Sequence, residues 1–118
     1  MNSENMLPAL SPDGTQVAFT SFLRGGPDLY VVPMTGGRAR RVSQRPGMNT
    51  GAAWLPDRSL LVTLSHEGSP DIYRIQASDG KILKRITTEP SIDSSASPSP
   101  DGSQIAFVSN RQGTPQIF

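Results

Sequence analysis

The chain has 118 residues, with 11 basic and 10 acidic side chains, a formal net charge of +1 and no cysteine. This near-neutral balance argues against a nucleic-acid patch or a funnel for acidic substrates, and the missing cysteines exclude a disulfide scaffold, a thiolate metal site and a cysteine nucleophile. No apolar run reaches membrane-spanning length, and eleven prolines with eleven glycines suit a turn-rich β protein. Residues 1–10 lack the basic start and apolar stretch of a signal peptide.

The first strand is predicted over residues 6–10. The turn Ser11-Pro12-Asp13-Gly14 follows. Pro presets φ at the second turn position, Asp bonds its own downstream backbone, and Gly tolerates φ > 0. Alternating residues 16–21 form a second strand, broken by Gly25-Gly26-Pro27. Residues 28–32 are rich in β-formers and make a third, and residues 38–43 a fourth after Thr35-Gly36-Gly37. Residues 44–49 read as a loop. The order then restarts, with strands over 50–54, 59–64, 71–75 and 81–87, and again over 93–97, 104–109 and 116–118.

The restart is regular. Pro-Asp turns recur at Leu55-Pro56-Asp57-Arg58 and Ser99-Pro100-Asp101-Gly102, with the three aspartates 44 residues apart. Each turn leads into an apolar run: Val17-Ala18-Phe19, Leu60-Leu61-Val62 and Ile105-Ala106-Phe107. Asp28-Leu29-Tyr30, Asp71-Ile72-Tyr73 and Gln116-Ile117-Phe118 share one repeat position, and Gly25-Gly26-Pro27, Gly68-Ser69-Pro70 and Gly113-Thr114-Pro115 another. A period near 44 is that of a four-stranded propeller blade. The chain is therefore predicted to be all-β, with repeat units over about 6–49, 50–92 and 93–118. These are four-stranded antiparallel meanders, about 2.75 blades of a closed ring. A blade cannot bury its apolar faces alone. The expectation is either a piece of a longer chain or a homodimer that completes the ring.

Ser-Pro-Asp-Gly, an apolar-Ala-Phe strand, Gly-X-Pro and an apolar-Tyr pair together resemble the TolB-type propeller repeat, as does the run from Asn49 to Asp57. The likeness extends from Leu7 to Phe118. It departs from the family in having Arg58 at a turn glycine, no N-terminal α/β domain and only about half of the family's six-bladed ring. What the resemblance implies is a periplasmic, non-catalytic protein-interaction scaffold of the Tol-Pal cell-envelope system. Its partner would be a Pal-like peptidoglycan-associated lipoprotein, without nucleic acid, membrane insertion or cofactor. It also implies that loops entering the innermost strands line the binding mouth, here Asn5, Met6, Asn49, Thr50, Asp93 and Ser94. Similar blades occur in prolyl-oligopeptidase-like peptidases, so a substrate-gating propeller fragment is one alternative and a carbohydrate-binding propeller another.

Catalytic chemistry finds little support in the residues. His66 is the one histidine, and no Gly-X-Ser-X-Gly elbow accompanies it. One histidine without cysteine or a calcium loop makes no metal site. Asp13, Asp57 and Asp101 are read as turn-bonding residues rather than a carboxylate ring. Arg38, Arg40 and Arg41 are read as a solvated strand face, and Trp54 and Tyr30 as inter-blade packing residues.

Overall fold

A computed structural model describes residues 5–22, 27–43, 49–65, 70–88 and 93–118, with backbone alone at residues 5–7 and at Thr50. The described residues contain strands and turns and no helix. The first sheet runs β1 (Asn5–Leu10), β2 (Gln16–Ser21), β3 (Asp28–Pro33), β4 (Arg40–Ser43). The second runs β5 (Asn49–Trp54), β6 (Leu60–Leu64), β7 (Asp71–Ile75), β8 (Ile82–Arg85), and the third β9 (Asp93–Pro98), β10 (Ile105–Ser109), β11 (Gln116–Ile117). Every pairing is antiparallel between chain neighbours. The sheets are therefore meanders, and their first strands β1, β5 and β9 lie against one another in turn. This is the arrangement of propeller blades.

The Pro-Asp turns close themselves. In the first, Thr15 N–H and Oγ1 both donate to Asp13 Oδ1, at 3.1 and 2.7 Å, and Ser11 Oγ donates to the same oxygen at 2.7 Å. Ser103 and Ser99 reproduce this set around Asp101. The second turn is one residue shorter: Leu55 N–H donates to Ser59 O, where Ser11 N–H donates to Gln16 O. Arg58 takes the left-handed conformation there, φ 70°, beside 73° and 75° at Gly14 and Gly102.

Each first strand carries a bulge at the same place, between Met6 and Ala9, Thr50 and Ala53, and Ser94 and Ser97. Gly51 and Ser95 sit inside two of these bulges at φ 69° and 57°. The extra residue bends the strand and adds twist.

Burial explains the different strand patterns. All five residues of β6 are buried because the middle sheet is covered on both faces. Leu60, Val62, Leu64, Tyr73 and Ile75 join Ala18, Leu29, Val31 and Val42 of the first sheet in one core. Leu61 and Ile72 face the other way, onto Ala96, Ile105 and Phe107 of the third sheet. In β2 and β10 burial is partial, since each outer sheet has one neighbour. Trp54 is an inter-blade residue as expected, its Nε1–H donating to Ala9 O at 2.8 Å. Tyr30 instead stacks on Phe19 of its own sheet, with centroids 5.7 Å apart.

Arg40 and Arg41 are not a solvated face. Arg40 Nη2 donates to Ala77 O of the second sheet at 3.2 Å, and Arg41 lies 3.7 Å from Asp28. Two sequence segments that each looked polar and local are joined by the meander.

Candidate binding mouth

The six candidate positions fall in two rings of register. Asn5, Asn49 and Asp93 open the three first strands and pair with Ser21, Leu64 and Ser109. Met6, Thr50 and Ser94 come next and pair with Thr20, Thr63 and Val108. The side chains of Asn5, Met6 and Thr50 lie outside the described residues, as does His66.

Asn49 and Asp93 do more than line an edge. Asn49 is buried; Ser43 Oγ donates to its Oδ1 at 2.7 Å, and its Nδ2 donates to Pro27 O at 3.1 Å. Asp93 N–H donates to Pro70 O at 2.9 Å. Pro27 and Pro70 are the prolines of the first two of the three Gly-X-Pro breaks. Proline has no N–H, so the carbonyl is its one main-chain hydrogen-bonding group. Each of these two breaks thus offers a carbonyl to the first strand of the next sheet. Sequence reasoning assigned these two residues to a partner; the geometry also gives their side chains or backbone a blade-joining role. Ser94 is half-exposed, and the next residue, Ser95, donates its N–H to Thr63 Oγ1 at 3.3 Å.

The Asp93 carboxylate is fully buried and receives Arg111 Nη2 at 3.3 Å. Arg111 is itself held over Phe107 and Phe118, 5.1 and 5.0 Å from the ring centroids. A guanidinium over two rings and a carboxylate is a well-ordered charge. The signal for this group was the Ser-Asn-Arg after the third apolar run, which the sequence reading passed over. In the second sheet the parallel device is Asp71, buried, bonded to Arg85 and accepting from Thr87 Oγ1.

The opposite end of the strands carries the Pro-Asp turns. Hydrogen bonds from Thr15 and Ser11 hold the Asp13 carboxyl well below the usual carboxylate range. Bonds from Ser59 lower Asp57, and bonds from Ser103 and Ser99 bring Asp101 down to about 2. All three are fixed as turn carboxylates, as the sequence suggested. Arg58 Nη2 reaches across to Asp13 at 2.8 Å and ties the second sheet to the first.

The family profile of the TolB beta propeller domain matches residues 1–118. The chain belongs to the TolB β-propeller family. It is 42% identical over 116 residues to the protein TolB homolog of Chlorobium luteolum, covering 98% of this chain and 26% of that protein. It is 44% identical over 87 residues to the Tol-Pal system protein TolB of Desulfosudis oleivorans, covering 73% of this chain and 19% of that one. The crystal structure of TolB from Acinetobacter baumannii superposes with a TM-score of 0.86 at 34% identity, over 98% of this chain and 29% of that one. A puromycin-hydrolyzing peptidase of Mycobacterium tuberculosis shares the fold alone, with a TM-score of 0.56 at 15% identity, over 98% of this chain and 20% of that one. This TolB-family chain thus spans about a quarter of the length of the curated relatives it matches. Among its described residues no helix is long and apolar enough to cross a membrane.

Proposed function

We propose that these blades belong to a non-catalytic, periplasmic scaffold of the Tol-Pal cell-envelope system. In this reading the scaffold docks a Pal-like peptidoglycan-associated lipoprotein at the mouth where the first strands begin. The observation that carries the reading is the register equivalence of Thr50 and Ser94. Both lie one residue inside adjacent first strands, just before a bulge that re-aims the chain. Bulges are favoured beside functional sites. Membership of the TolB family supports the choice of partner.

The test is calorimetry with a Pal-type domain. Thr50→Arg is expected to weaken binding at least tenfold with an unchanged melting temperature. Thr35→Arg, an exposed change at the opposite end, is expected to leave affinity alone. Equal affinities for both variants would refute the mouth.

We further infer that two copies stack head to tail as a homodimer and close a six-bladed ring. Ala106, Val108 and Ile117 of the third sheet stand where Ala18, Thr20 and Leu29 of the first face the second. Val17, Phe19, Tyr30 and Val32 stand where the second sheet faces the first. The two outer faces are therefore complementary in kind. Light scattering at micromolar concentration is expected to give twice 12.6 kDa; a monomer at that mass would overturn the ring.

A further inference from the structure

The outermost strands of the two four-stranded sheets, β4 and β8, carry much of the chain's positive charge. Residues 38–43 and 81–88 hold six of the eleven basic residues and none of the ten acidic ones, so the near-neutral total conceals a segregated charge. Two of the six are neutralised, Arg41 by Asp28 and Arg85 by Asp71 of the adjoining strands. The other four, Arg38, Arg40, Lys81 and Lys84, meet no carboxylate side chain among the described residues. They occupy equivalent places. Arg38 and Lys81 each follow a left-handed glycine, Gly37 and Gly80, and Arg40 and Lys84 stand 44 residues apart.

The seam between these sheets gathers the four positions into one strip. Arg40 Nε and Nη2 donate to Ala77 O at 3.4 and 3.2 Å, a carbonyl that leaves the charge in place. Gly80, at φ 77°, lies so close that a Cβ there would be 1.5 Å from Val42 O. Lys81 is thereby held beside β4. Asp79, the carboxylate nearest in sequence, is turned to its own backbone and accepts Lys81 N–H at 2.9 Å. Charge alone would be an ordinary guard for a sheet edge. Leu83 is what a guard does not explain. It is the extra residue of a bulge in β8, where Ile82 lies opposite Ile75 and Lys84 opposite Arg74. A bulge re-aims a side chain, and this one leaves Leu83 42% exposed between Lys81 and Lys84.

We propose that this strip is a contact site for an anionic lipid surface. Arg38, Lys81 and Lys84, all exposed, take the headgroup phosphates, and half-buried Arg40 adds its charge behind them. Leu83 enters the boundary between headgroups and acyl chains. Lysine suits that boundary, since its apolar stem can lie along the leucine while the ammonium stays among the headgroups. A soluble phosphate would use the cations and gain nothing from an exposed leucine, whereas a lipid surface uses both. The contact is peripheral and reversible, because a few charges and one apolar side chain hold a protein at a surface without inserting it. Arg38 and Lys81 lie at the end of the sheets opposite the candidate mouth, so this contact and the one proposed there are separate.

The test is co-sedimentation of the full 118-residue chain with vesicles, one set of phosphatidylglycerol with phosphatidylcholine and one of phosphatidylcholine alone. Partition into the anionic set alone is expected at low salt, weakening in high salt as the charges are screened. Lys81→Gln and Lys84→Gln are each expected to weaken partition about fivefold, the factor for one cation near an anionic surface. Leu83→Ser is expected to weaken it roughly threefold in low and high salt alike, because apolar contact is not screened. Arg58→Gln removes a cation outside the strip that is already paired with Asp13, and is expected to change nothing. Lys81, Leu83 and Lys84 are exposed, so these variants are expected to melt with the parent. No partition into the anionic vesicles, equal partition into both sets, or an Arg58→Gln loss as large as that of Lys84→Gln overturns the proposal. So does release by millimolar inorganic phosphate at constant ionic strength, which would assign the cations to a soluble anion. Equal retention on duplex DNA with no effect of Leu83→Ser would make the strip a general polyanion site and overturn it too.

Discussion

The two seams between the sheets are built from equivalent positions and end up differently. Between the first and second sheets, the core runs from Ala18 and Val31 to Leu60 and Ile75, all fully buried. Between the second and third, the corresponding core is Leu61 and Ile72 against half-buried Ile105 and Phe107. The cross-seam charge also changes sides. Asp13 is bridged by Arg58 of the next sheet, whereas Asp57 is bridged by Arg74 of its own. The reason is residue identity at two positions. Val31 stands where Arg74 stands, so the first sheet offers Asp13 no arginine of its own there. Gly102 stands where Arg58 stands and packs on Pro56, 3.0 Å from where its Cβ would be, so it brings no charge. A repeat therefore fixes the backbone, while each seam is closed by whichever side chains the two sheets supply.

The largest expected contrast comes from one repeat position. Leu60 and Ile105 both pair with the residue that closes their first strand, Trp54 and Pro98. Leu60→Ala removes a fully buried side chain from the filled seam, and the loss should be about 3 kcal/mol. Ile105→Ala at the open seam should cost about 1 kcal/mol, because water already reaches it. Urea denaturation of both variants measures the difference. Equal losses would mean that the two seams are equally packed.

The ion pairs give a smaller contrast. The Asp71 side chain is 1% exposed and bonded to Arg85, while Asp28 is 14% exposed and 3.7 Å from Arg41. Arg85→Ala leaves a buried carboxylate short of its cation and should cost about 2 kcal/mol, below the full cost of a wholly buried pair because Arg85 itself is partly solvated. Arg41→Ala should cost under about 1 kcal/mol. Thermal melts that fail to separate the two would place Asp71 in a wetter site than its burial implies.

What was legible in the sequence was whatever local chemistry enforces. The turns are written in Pro-Asp-Gly because φ and the Asp bonds are settled within five residues, and the strands between them follow from apolar alternation. The bulges were not legible: Gly51 hints at one, but Ser95 adopts the same conformation and nothing in Ser94-Ser95-Ala96 announces it. Nor was the burial of Asn49, since its partners Ser43 and Pro27 belong to the preceding sheet and are brought there by the meander. Arg40 was misjudged for the same reason. Polar residues that join blades look like surface until the neighbouring blade is in place.

The turn carboxylates sharpen the comparison by pH. Asp13, Asp57 and Asp101 all titrate below their ordinary value in the folded chain. A lowered pKa means stability that is present above the unfolded value and is lost as pH falls through the folded one. The melting temperature should thus hold down to about pH 4 and fall from there toward pH 2. Asp101→Asn should flatten part of that fall. A melting temperature that drops between pH 7 and 5 would assign acid sensitivity to other groups.

The smallest effect isolates one of the residues that make the seams differ. Arg58 holds a left-handed backbone that costs a side-chain-bearing residue about 1 kcal/mol or more. Its ion pair with Asp13 returns little, since the Arg58 side chain is 69% exposed and such pairs are worth about 0–1 kcal/mol. Arg58→Ala keeps the strain and loses the pair, so it should destabilise by under about 1 kcal/mol, with the gap closing in high salt. Arg58→Gly loses the pair and the strain together, while glycine adds freedom to the unfolded chain. It should therefore come out close to the parent, within about 0.5 kcal/mol, and more stable than Arg58→Ala. Denaturant midpoints in low and high salt resolve the three proteins. If alanine proves as stable as glycine, the second turn has moved out of the left-handed region and the shorter hairpin is relaxed in another way.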